Sequence, residues 1–304
     1  MMKGLEDMLL KEQLEKEREL SPLQQSVAQK ILELEEEIED MTIRELADLS
    51  YTSTTAVIRL CNKLGYEKYS EFKKAYLKEI RYLKNHFQDV DANLPFSSND
   101  SLTQVCGSIA HLYEQTAKDT YSLVDYTQLI HATKLLEKAH NIYVICIGVG
   151  NDLAKVFADK MMLIGKKVFV TDNFNEQFYQ IHENKQGDCF IIITYTGTTT
   201  NIRKYYPYLV SGEASTILIT SVSETYLSSQ SDVVLRMTTR EKLYGNISSF
   251  SSTVSTMLIL DMLYASLFQK NYDENLKLKI DILNDYDDGR NSINEVMEEK
   301  QNNG

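Results

Sequence analysis

The stretch TIRELADLSYTSTTAVIRLCNKLG, residues 42–65, decides the fold of the N-terminal part of the chain. Thr42 with Glu45 three positions later is a capping-box pattern, which starts a helix at the next residue. Ser53 is a good N-cap for a second helix, and Gly65 is typical of a helix end. The two predicted helices cover residues 43–49 and 54–64. Two short helices joined by so tight a turn form a helix-turn-helix pattern.

The second of these helices has two chemically different faces. At about 100° per residue, its apolar residues fall on one side and are predicted to pack inward: Val57, Leu60, Cys61 and Leu64. Thr55, Arg59 and Asn62 fall on the opposite side, with Thr54 near the helix start. Hydroxyl, guanidinium and amide groups contact base edges and phosphates in DNA complexes. The pattern favours a DNA-reading helix; the alternative is a small helical bundle with a hydrated polar face.

The charge distribution points the same way, although the 304-residue chain has a net charge of −12. Residues 41–85 carry a net charge of +4, whereas residues 1–40 carry −7 and residues 86–304 carry −9. A phosphate backbone would be attracted to the basic segment and repelled by the rest of the surface. A local charge of +4 is also compatible with an ordinary solvated surface.

Sixteen residues share the spacing of a known motif: Thr42, Ile43, Glu45, Leu46, Ala47, Ser53, Val57, Arg59, Lys63, Leu64, Gly65, Tyr66, Tyr69, Glu71, Phe72 and Lys73. With them, residues 20–77 resemble the N-terminal domain of the RpiR family of bacterial transcription regulators. The resemblance implies a helix-turn-helix domain, which we place over residues 1–85. An additional helix would cover residues 5–20, with a buried stripe of Leu5, Met8, Leu9 and Leu14. The expected DNA-contacting residues are Thr42, Ser53, Thr54, Thr55, Arg59, Asn62, Lys63 and Lys73.

The pattern changes after a polar segment, residues 86–99, which is predicted to be a linker. Strand-like apolar runs then alternate with helical segments, and this order implies a parallel sheet covered by helices. The runs are Ile142–Ile147, Lys167–Val170, Cys189–Thr194, Thr216–Thr220 and Val233–Met237. The helical segments between them lie near 152–164, 173–182, 200–210 and 225–229, and a long apolar helix follows at about 250–270. We expect a ligand domain over residues 100–280 and an acidic tail over 281–304.

Two of the predicted strands end in loops suited to an anion. Ligands on open parallel sheets bind at the carboxyl ends of strands, near helix N-termini. The first strand ends in Gly148, Gly150 and Asn151, where glycines allow a ligand close to the backbone. The third strand ends in the run Thr194–Asn201, which is rich in hydroxyls around one glycine. The alternatives are a tight turn for the first loop and a threonine-rich solvent loop for the second.

The second half is similar to the sugar isomerase (SIS) domain of RpiR regulators and phosphosugar isomerases. Thr194, Thr196, Gly197 and Thr199 stand at the positions of that family's S-x-S-G-x-T phosphate loop. The resemblance implies a three-layer α/β/α fold with a parallel five-stranded sheet, and a phosphosugar ligand. The expected ligand-binding residues are Gly148, Gly150, Asn151, Thr194, Thr196, Gly197, Thr198 and Thr199. Two positions depart from the family: Asn151 replaces a common serine, and Thr253 replaces a common arginine.

The chain is therefore interpreted as a transcription regulator of sugar catabolism or transport genes, whose DNA affinity depends on a phosphosugar. We expect double-stranded operator DNA and a homodimer or higher homo-oligomer as partners, and no cofactor, metal site or catalytic residue. The alternative is a phosphosugar isomerase with an accessory helical domain, for which the His182–Glu183 pair offers a candidate base. A structural adaptor is a third possibility.

The composition of the chain indicates in which cellular compartment the protein is expected. No apolar run reaches the roughly 18 residues that span a membrane. The charged N-terminus does not resemble a signal peptide. The four cysteines, at 61, 106, 146 and 189, form no C-x-x-C pair, so no zinc site or disulfide framework is indicated. We expect a cytoplasmic protein without membrane association.

Overall fold

The computed structural model describes residues 10–15, 20–86 and 90–286, and its N-terminal part is helical. Its elements are α1 (Leu10–Glu15), α2 (Pro22–Leu34), a 3₁₀ helix (Glu35–Asp40), α3 (Ile43–Leu49), α4 (Thr54–Lys63) and α5 (Tyr69–His86). In α1, Leu10 and Leu14 are buried. Residues 5–9 and 16–19 of the predicted N-terminal helix, among them Leu5, Met8 and Leu9, and the tail beyond residue 286 lie outside the described residues.

The helix-turn-helix prediction is confirmed by α3 and α4. The capping box at the start of α3 is formed: the Glu45 carboxylate accepts from the Thr42 backbone N–H at 2.7 Å, and the Thr42 hydroxyl accepts from the Glu45 N–H. The two helices pack on α2 and α5 around a core of buried apolar residues. The largest of its fully buried side chains are Tyr76, Phe72, Leu14, Ile31, Ile38, Leu46, Leu60 and Ile80. Apolar burial of this kind holds the short helices in place.

The second part is a five-stranded parallel sheet with helices on both faces. Its elements are α6 (Leu102–Ser122), α7 (Tyr126–Lys138), β1 (Asn141–Ile145), α8 (Val149–Met162), β2 (Val168–Val170), α9 (Phe174–His182), β3 (Asp188–Ile193), α10 (Thr200–Val210), β4 (Ser215–Thr220), α11 (Tyr226–Gln230), β5 (Val233–Arg236), α12 (Phe250–Lys270) and α13 (Tyr272–Tyr286). The strand order is β2-β1-β3-β4-β5. All five predicted strands and the three-layer α/β/α architecture are confirmed.

The strand order determines where a ligand can bind. The order reverses between β1 and β3, since β2 lies on the outer side of β1. In open parallel sheets the crevice at such a switch point, beyond the carboxyl ends of the strands, is the usual binding site. All six residues of β3 are buried, so this strand forms the rigid centre of the sheet under that crevice.

The long helix α12 covers one face of the sheet. Among the residues that the structure describes, it is the single helix long and apolar enough to cross a membrane by length and composition. It packs against α6, α7 and α8, and Ile259, Leu260, Leu263 and Leu267 enter the sheet core. This packing makes most of the length of α12 part of the core.

Two segments near the predicted boundaries have structure that composition did not indicate. Within the predicted linker, Asn93 is buried against a loop that follows β5. Its side-chain oxygen accepts from the Lys242 N–H at 2.7 Å, and its carbonyl accepts from the Ile247 N–H at 2.9 Å. At the other end, α13 runs across the expected boundary between residues 280 and 281. A polar composition therefore does not exclude a docked segment or a helix.

Candidate functional sites

The first candidate site is the outward face of α4. Ser53 caps this helix by accepting from the Ala56 N–H at 3.2 Å. Four of the predicted DNA-contacting side chains are exposed here, namely Thr54, Thr55, Arg59 and Asn62. The opposite face is buried, with Val57, Leu60 and Cys61 at 1% exposure or less. The face assignment made from helical periodicity is therefore confirmed, and a row of hydrogen-bonding groups stands free on a rigid helix.

Of the remaining predicted DNA-contacting residues, three already make hydrogen bonds within the protein. Thr42 and Ser53 use their hydroxyls as helix caps while staying exposed. The Lys73 ammonium donates to the carbonyls of Glu39, at 2.6 Å, and Met41, at 3.2 Å. Lys73 therefore joins α5 to the end of the 3₁₀ helix, while Lys63 is half-buried at the end of α4. A role in DNA binding stays a prediction for all eight residues.

The second candidate site is a cavity of about 220 Å³ at the switch point of the sheet. Three segments form its walls: the loop after β1, the loop after β3 and the first two turns of α12. Its lining residues are Ile147, Val149, Gly150, Leu153, Ile193, Thr194, Tyr195, Thr199, Ile202, Met237, Ser249, Ser252, Thr253 and Thr256. The loops after β1 and β3 are the two that the sequence predicts to bind a ligand.

Hydrogen bonds within the loop after β3 hold its hydroxyls in place. The Thr194 hydroxyl accepts from the Gly197 N–H at 3.2 Å and lies 3.1 Å from the Thr199 hydroxyl. The Thr196 hydroxyl accepts from the Thr198 N–H at 3.2 Å. Thr199 is the N-cap residue of α10, yet its side chain makes no capping hydrogen bond. The first N–H groups of this 11-residue helix, with the positive end of its dipole, are therefore oriented for an anion.

Gly197 is required by both the conformation and the packing of this loop. Its φ is +69°, in the left-handed region that other residues avoid. A Cβ at this position would lie 2.9 Å from both Cγ2 and Oγ1 of Thr225, which starts α11. The glycine lets the loop pack directly on the capping residue of the next helix.

The loop after β1 places only one of its predicted ligand residues on the cavity. Gly150 lines the cavity, whereas Gly148 is the N-cap of α8 with a φ of 63°. Asn151 is buried, and its side-chain oxygen accepts from the Cys146 thiol at 3.1 Å. The carboxamide at the family's serine position is thus engaged inside the fold. Of the eight predicted ligand residues, those that line the cavity are Gly150, Thr194 and Thr199; Thr196 and Thr198 are half-buried on the same loop.

The third wall, from α12, was missed by the sequence analysis except for Thr253. Four hydroxyl side chains line it: Ser249, Ser252, Thr253 and Thr256. Their spacing of three, four and seven residues is that of one helical face, and this signal could have found them. The Glu241 carboxylate accepts from the Ser252 hydroxyl and the Ser251 N–H, and so anchors the first turn of α12. Burial raises the pKa of Glu241.

The described residues that line the cavity include no charged side chain. A bound anion would therefore be held by hydroxyls, backbone N–H groups and the N-terminus of α10.

Burial raises the pKa of the Cys61, Cys146 and Cys189 thiols to about 12, so these three thiols stay protonated. Within the described ranges, no group of three or more His, Cys, Asp or Glu residues is arranged to hold a metal ion.

The His182–Glu183 pair, which the sequence offered as a candidate base, lies outside the cavity. Nδ1 of His182 is 3.2 Å from the Glu183 carboxylate, and both side chains are more than half exposed at the end of α9. Neither residue lines the cavity. The structure therefore does not bring the candidate base to the site where a sugar phosphate would bind.

Family models match both parts of the chain. The helix-turn-helix domain model of the rpiR family matches residues 8–82, and the SIS domain model matches residues 135–266. The chain belongs to the RpiR family. The chain is 26% identical over 254 residues to the uncharacterized HTH-type transcriptional regulator YbbH of Bacillus subtilis, covering 84% of this chain and 88% of the relative. An uncharacterized HTH-type transcriptional regulator of Haemophilus influenzae is 23% identical, with 87% and 91% covered.

Solved structures agree with this assignment at the level of fold. The Vibrio vulnificus NanR protein complexed with ManNAc-6P aligns over 91% of this chain and 98% of its own, with a TM-score of 0.58 and 23% identity. The sugar isomerase domain of an RpiR transcription factor from Sphaerobacter thermophilus aligns over 59% of this chain and 98% of its own, with a TM-score of 0.50 and 12% identity. The NanR structure thus shares the fold over nearly the whole of this chain, and the Sphaerobacter structure shares it over the SIS part.

Proposed function

We propose that this RpiR-family chain is a sequence-specific DNA-binding transcription regulator whose DNA affinity is changed by a phosphosugar. The observation that carries the DNA half is the outward row on α4, where Thr54, Thr55, Arg59 and Asn62 are exposed while the opposite face is buried. The two curated relatives named above are HTH-type transcriptional regulators. We assign DNA binding to residues 1–85 and ligand binding to residues 100–280.

The cavity supports a phosphate-bearing ligand. Its polar lining is made of hydroxyls from the loop after β3 and from α12, and the uncapped start of α10 adds backbone N–H donors. Donors of this kind suit a phosphate, which has several acceptor oxygens and a negative charge. The apolar lining residues, among them Ile147, Leu153 and Met237, suit the carbon face of a sugar. The solved NanR structure holds ManNAc-6P, which makes a phosphorylated sugar the first ligand class to test.

An isomerase is the alternative that the same cavity raises. Isomerisation needs a group within hydrogen-bonding distance of the substrate carbon that can take up a proton. Among the described lining residues, none carries an imidazole, carboxylate or amine. The Glu241 carboxylate is not part of the lining; it accepts from the Ser251 N–H and the hydroxyl of the lining residue Ser252 at the start of α12. These observations favour binding over turnover.

The remaining parts of the proposal concern partners and location. We expect a cytoplasmic protein that acts on operator DNA as a homodimer, because helix-turn-helix proteins read paired half-sites. Genes of sugar catabolism or transport are the expected targets.

A thermal-shift screen of the full chain tests the ligand half. The panel comprises phosphorylated sugars, their unphosphorylated forms and inorganic phosphate. A ligand at 100 times its dissociation constant stabilises the folded state by about 2.7 kcal/mol. We expect stabilisation by at least one phosphosugar and none by its free sugar. Conversion of that phosphosugar into an isomer would contradict the regulator and favour the enzyme.

A further inference from the structure

The turn between α3 and α4 holds a tyrosine where a glycine would fit more easily. Tyr51 has a φ of 52°, in the left-handed region that residues other than glycine rarely adopt. Its side chain is 95% exposed, so it makes almost no contact with the described part of the protein that would offset this strain. A residue held in an unfavourable conformation without a packing gain is a reason to look for a function.

Two hydrogen bonds show why the backbone must take this conformation at Tyr51. The Tyr51 N–H donates to the Asp48 carbonyl at 3.1 Å. The Thr52 N–H donates to the Ala47 carbonyl at 2.8 Å. Together these bonds form the Schellman motif that ends a helix, in which the residue after the C-cap is left-handed and is usually glycine. Ser50 is the C-cap of α3, so Tyr51 occupies the position of that glycine.

The end of α4 has the same motif with a glycine in place. The Gly65 N–H donates to the Asn62 carbonyl at 3.2 Å, and the N–H of the next residue, Tyr66, donates to the Cys61 carbonyl at 2.9 Å. Gly65 has a φ of 89°. Two successive helices therefore end with the same hydrogen bonds, and the one that ends in glycine shows that the motif does not need a side chain. The fold does not require the phenol of Tyr51.

Tyr51 lies beside the exposed polar groups at the start of α4. Ser53, two residues later, is the N-cap of α4, and the side chains of Thr54 and Thr55 that follow are exposed. Two residues span at most about 7 Å of backbone, so the phenol stands at the edge of this surface. In helix-turn-helix complexes the second helix lies in the major groove and the first crosses the DNA backbone. The turn that joins them is therefore placed close to phosphates.

We infer that Tyr51 is a further DNA-contacting residue, whose hydroxyl donates a hydrogen bond to a phosphate oxygen at the edge of the groove that α4 enters. This inference rests on the proposed function, since it requires DNA on the outward face of α4. Tyrosine is among the side chains that donate to phosphates in protein–DNA complexes. Such a contact fixes the position of the protein on the duplex and carries no sequence information.

The surroundings of Tyr51 favour DNA over a protein partner. The four residues that follow it, 52–55, all carry hydroxyls, and three of them are exposed. Hydroxyls suit phosphate oxygens, whereas the centre of a protein–protein contact is mainly apolar and aromatic. The net charge of +4 over residues 41–85 also attracts a phosphate backbone.

Fluorescence anisotropy of the full chain on two duplexes, one selected from random sequence and one of unrelated sequence, tests the inference. Tyr51→Phe removes the hydroxyl and keeps the ring and the turn. We expect both duplexes to bind about 5- to 20-fold more weakly, because a phosphate contact is lost whatever the sequence. The slope of log affinity against log salt should not change, because the hydroxyl is uncharged. Tyr244→Phe, at a tyrosine 98% exposed, is the matched control and should leave both affinities unchanged.

Tyr51→Gly separates the DNA contact from the stability of the turn. It should weaken DNA binding at least as much as Tyr51→Phe, because the hydroxyl is lost together with the ring. It should also raise the midpoint of chemical denaturation, because glycine adopts the left-handed conformation without strain. A protein that becomes more stable while it binds DNA less tightly is the result expected of a side chain that serves binding and not folding.

Two results would overturn the inference while the proposed function stands. Unchanged affinity of Tyr51→Phe for both duplexes would exclude the contact and favour a protein partner for the phenol. A loss confined to the selected duplex would mean a base contact in place of the phosphate contact. In both cases weaker binding of the selected duplex by Arg59→Ala would still support DNA reading by α4. An unchanged protein that binds neither duplex would overturn the proposed function, and this inference with it.

Discussion

The outward face of α4 and the cavity beside β3 represent two ways of presenting polar groups to a ligand. On α4 the polar side chains stand exposed on a helix fixed by its buried opposite face. In the cavity the hydroxyls of Thr194 and Thr199 are hydrogen-bonded to each other, and the Thr194 hydroxyl also accepts from the Gly197 N–H of the same loop. The first arrangement suits a long charged duplex, and the second suits a small anion that must be enclosed.

The difference predicts that the two sites can be damaged independently. A change on α4 removes a contact but little packing, whereas a change in the loop after β3 disturbs its fit to Thr225. Three substitutions test this separation, and a fourth tests backbone strain in the turn that leads into α4.

Gly197→Ala should have the largest effect. The new methyl group would need a left-handed φ and would meet Thr225, which together should lower the free energy of unfolding by about 2–4 kcal/mol. We expect lost phosphosugar binding and retained DNA binding at temperatures where the variant is folded. Chemical denaturation and the thermal-shift screen measure these effects. Gly107→Ala, on an open face of α6, is the control and should keep full ligand binding; equal behaviour of the two variants would show that the loop is not constrained.

Arg59→Ala should weaken binding to a selected DNA duplex by about 1–3 kcal/mol, because a base or phosphate contact is lost. Since Arg59 is exposed, the free energy of unfolding should change by less than about 0.5 kcal/mol. Fluorescence anisotropy and chemical denaturation give the two numbers. Val57→Ala is the control on the buried face of the same helix. It should lower the free energy of unfolding by about 1–3 kcal/mol. An Arg59 variant that unfolds would contradict the face assignment.

Thr199→Val should weaken phosphosugar binding by about 1–2 kcal/mol, because it removes a hydroxyl from the cavity wall at nearly constant size. Thr196→Val removes a hydroxyl from the same loop outside the lining, so a smaller loss is expected. Calorimetric titration of both variants ranks the two positions. A larger effect at Thr196 would mean that the ligand binds above the loop and not in the cavity.

Tyr51→Gly should have the smallest effect and the opposite sign. Tyr51 lies in the turn before α4 with a φ of 52° and 95% exposure. Glycine relieves the left-handed conformation and should raise the free energy of unfolding by about 0.5–1 kcal/mol. Tyr244→Gly, at a residue 98% exposed without a positive φ, should give no gain in the same denaturation experiment. A loss of stability in Tyr51→Gly would show that the side chain makes a contact that outweighs the strain.

The helical part of the chain was predictable because its signals are local. Capping residues and one helical period within residues 42–65 place α3, α4 and the exposed face of α4. The five strands were predictable for a related reason, since each is a short apolar run between helical segments.

The cavity was only half predictable because it joins distant segments. The loops after β1 and β3 follow strand ends, which the sequence marks, but the α12 wall comes some 50 residues later and depends on how that helix crosses the sheet. The burial of Asn151 against Cys146 likewise depends on packing. The docked position of Asn93 and the helix α13 lie in polar or mixed segments whose pattern carries little information.

The most direct test of the central claim is the affinity of the full chain for a duplex selected from random sequence, measured by anisotropy with and without the phosphosugar found in the thermal screen. We predict a change of about 5–150-fold, the range of a coupling free energy of 1–3 kcal/mol, and a reduced change in Thr199→Val. An unchanged DNA affinity at a saturating concentration of that phosphosugar would contradict the claim that the cavity regulates α4.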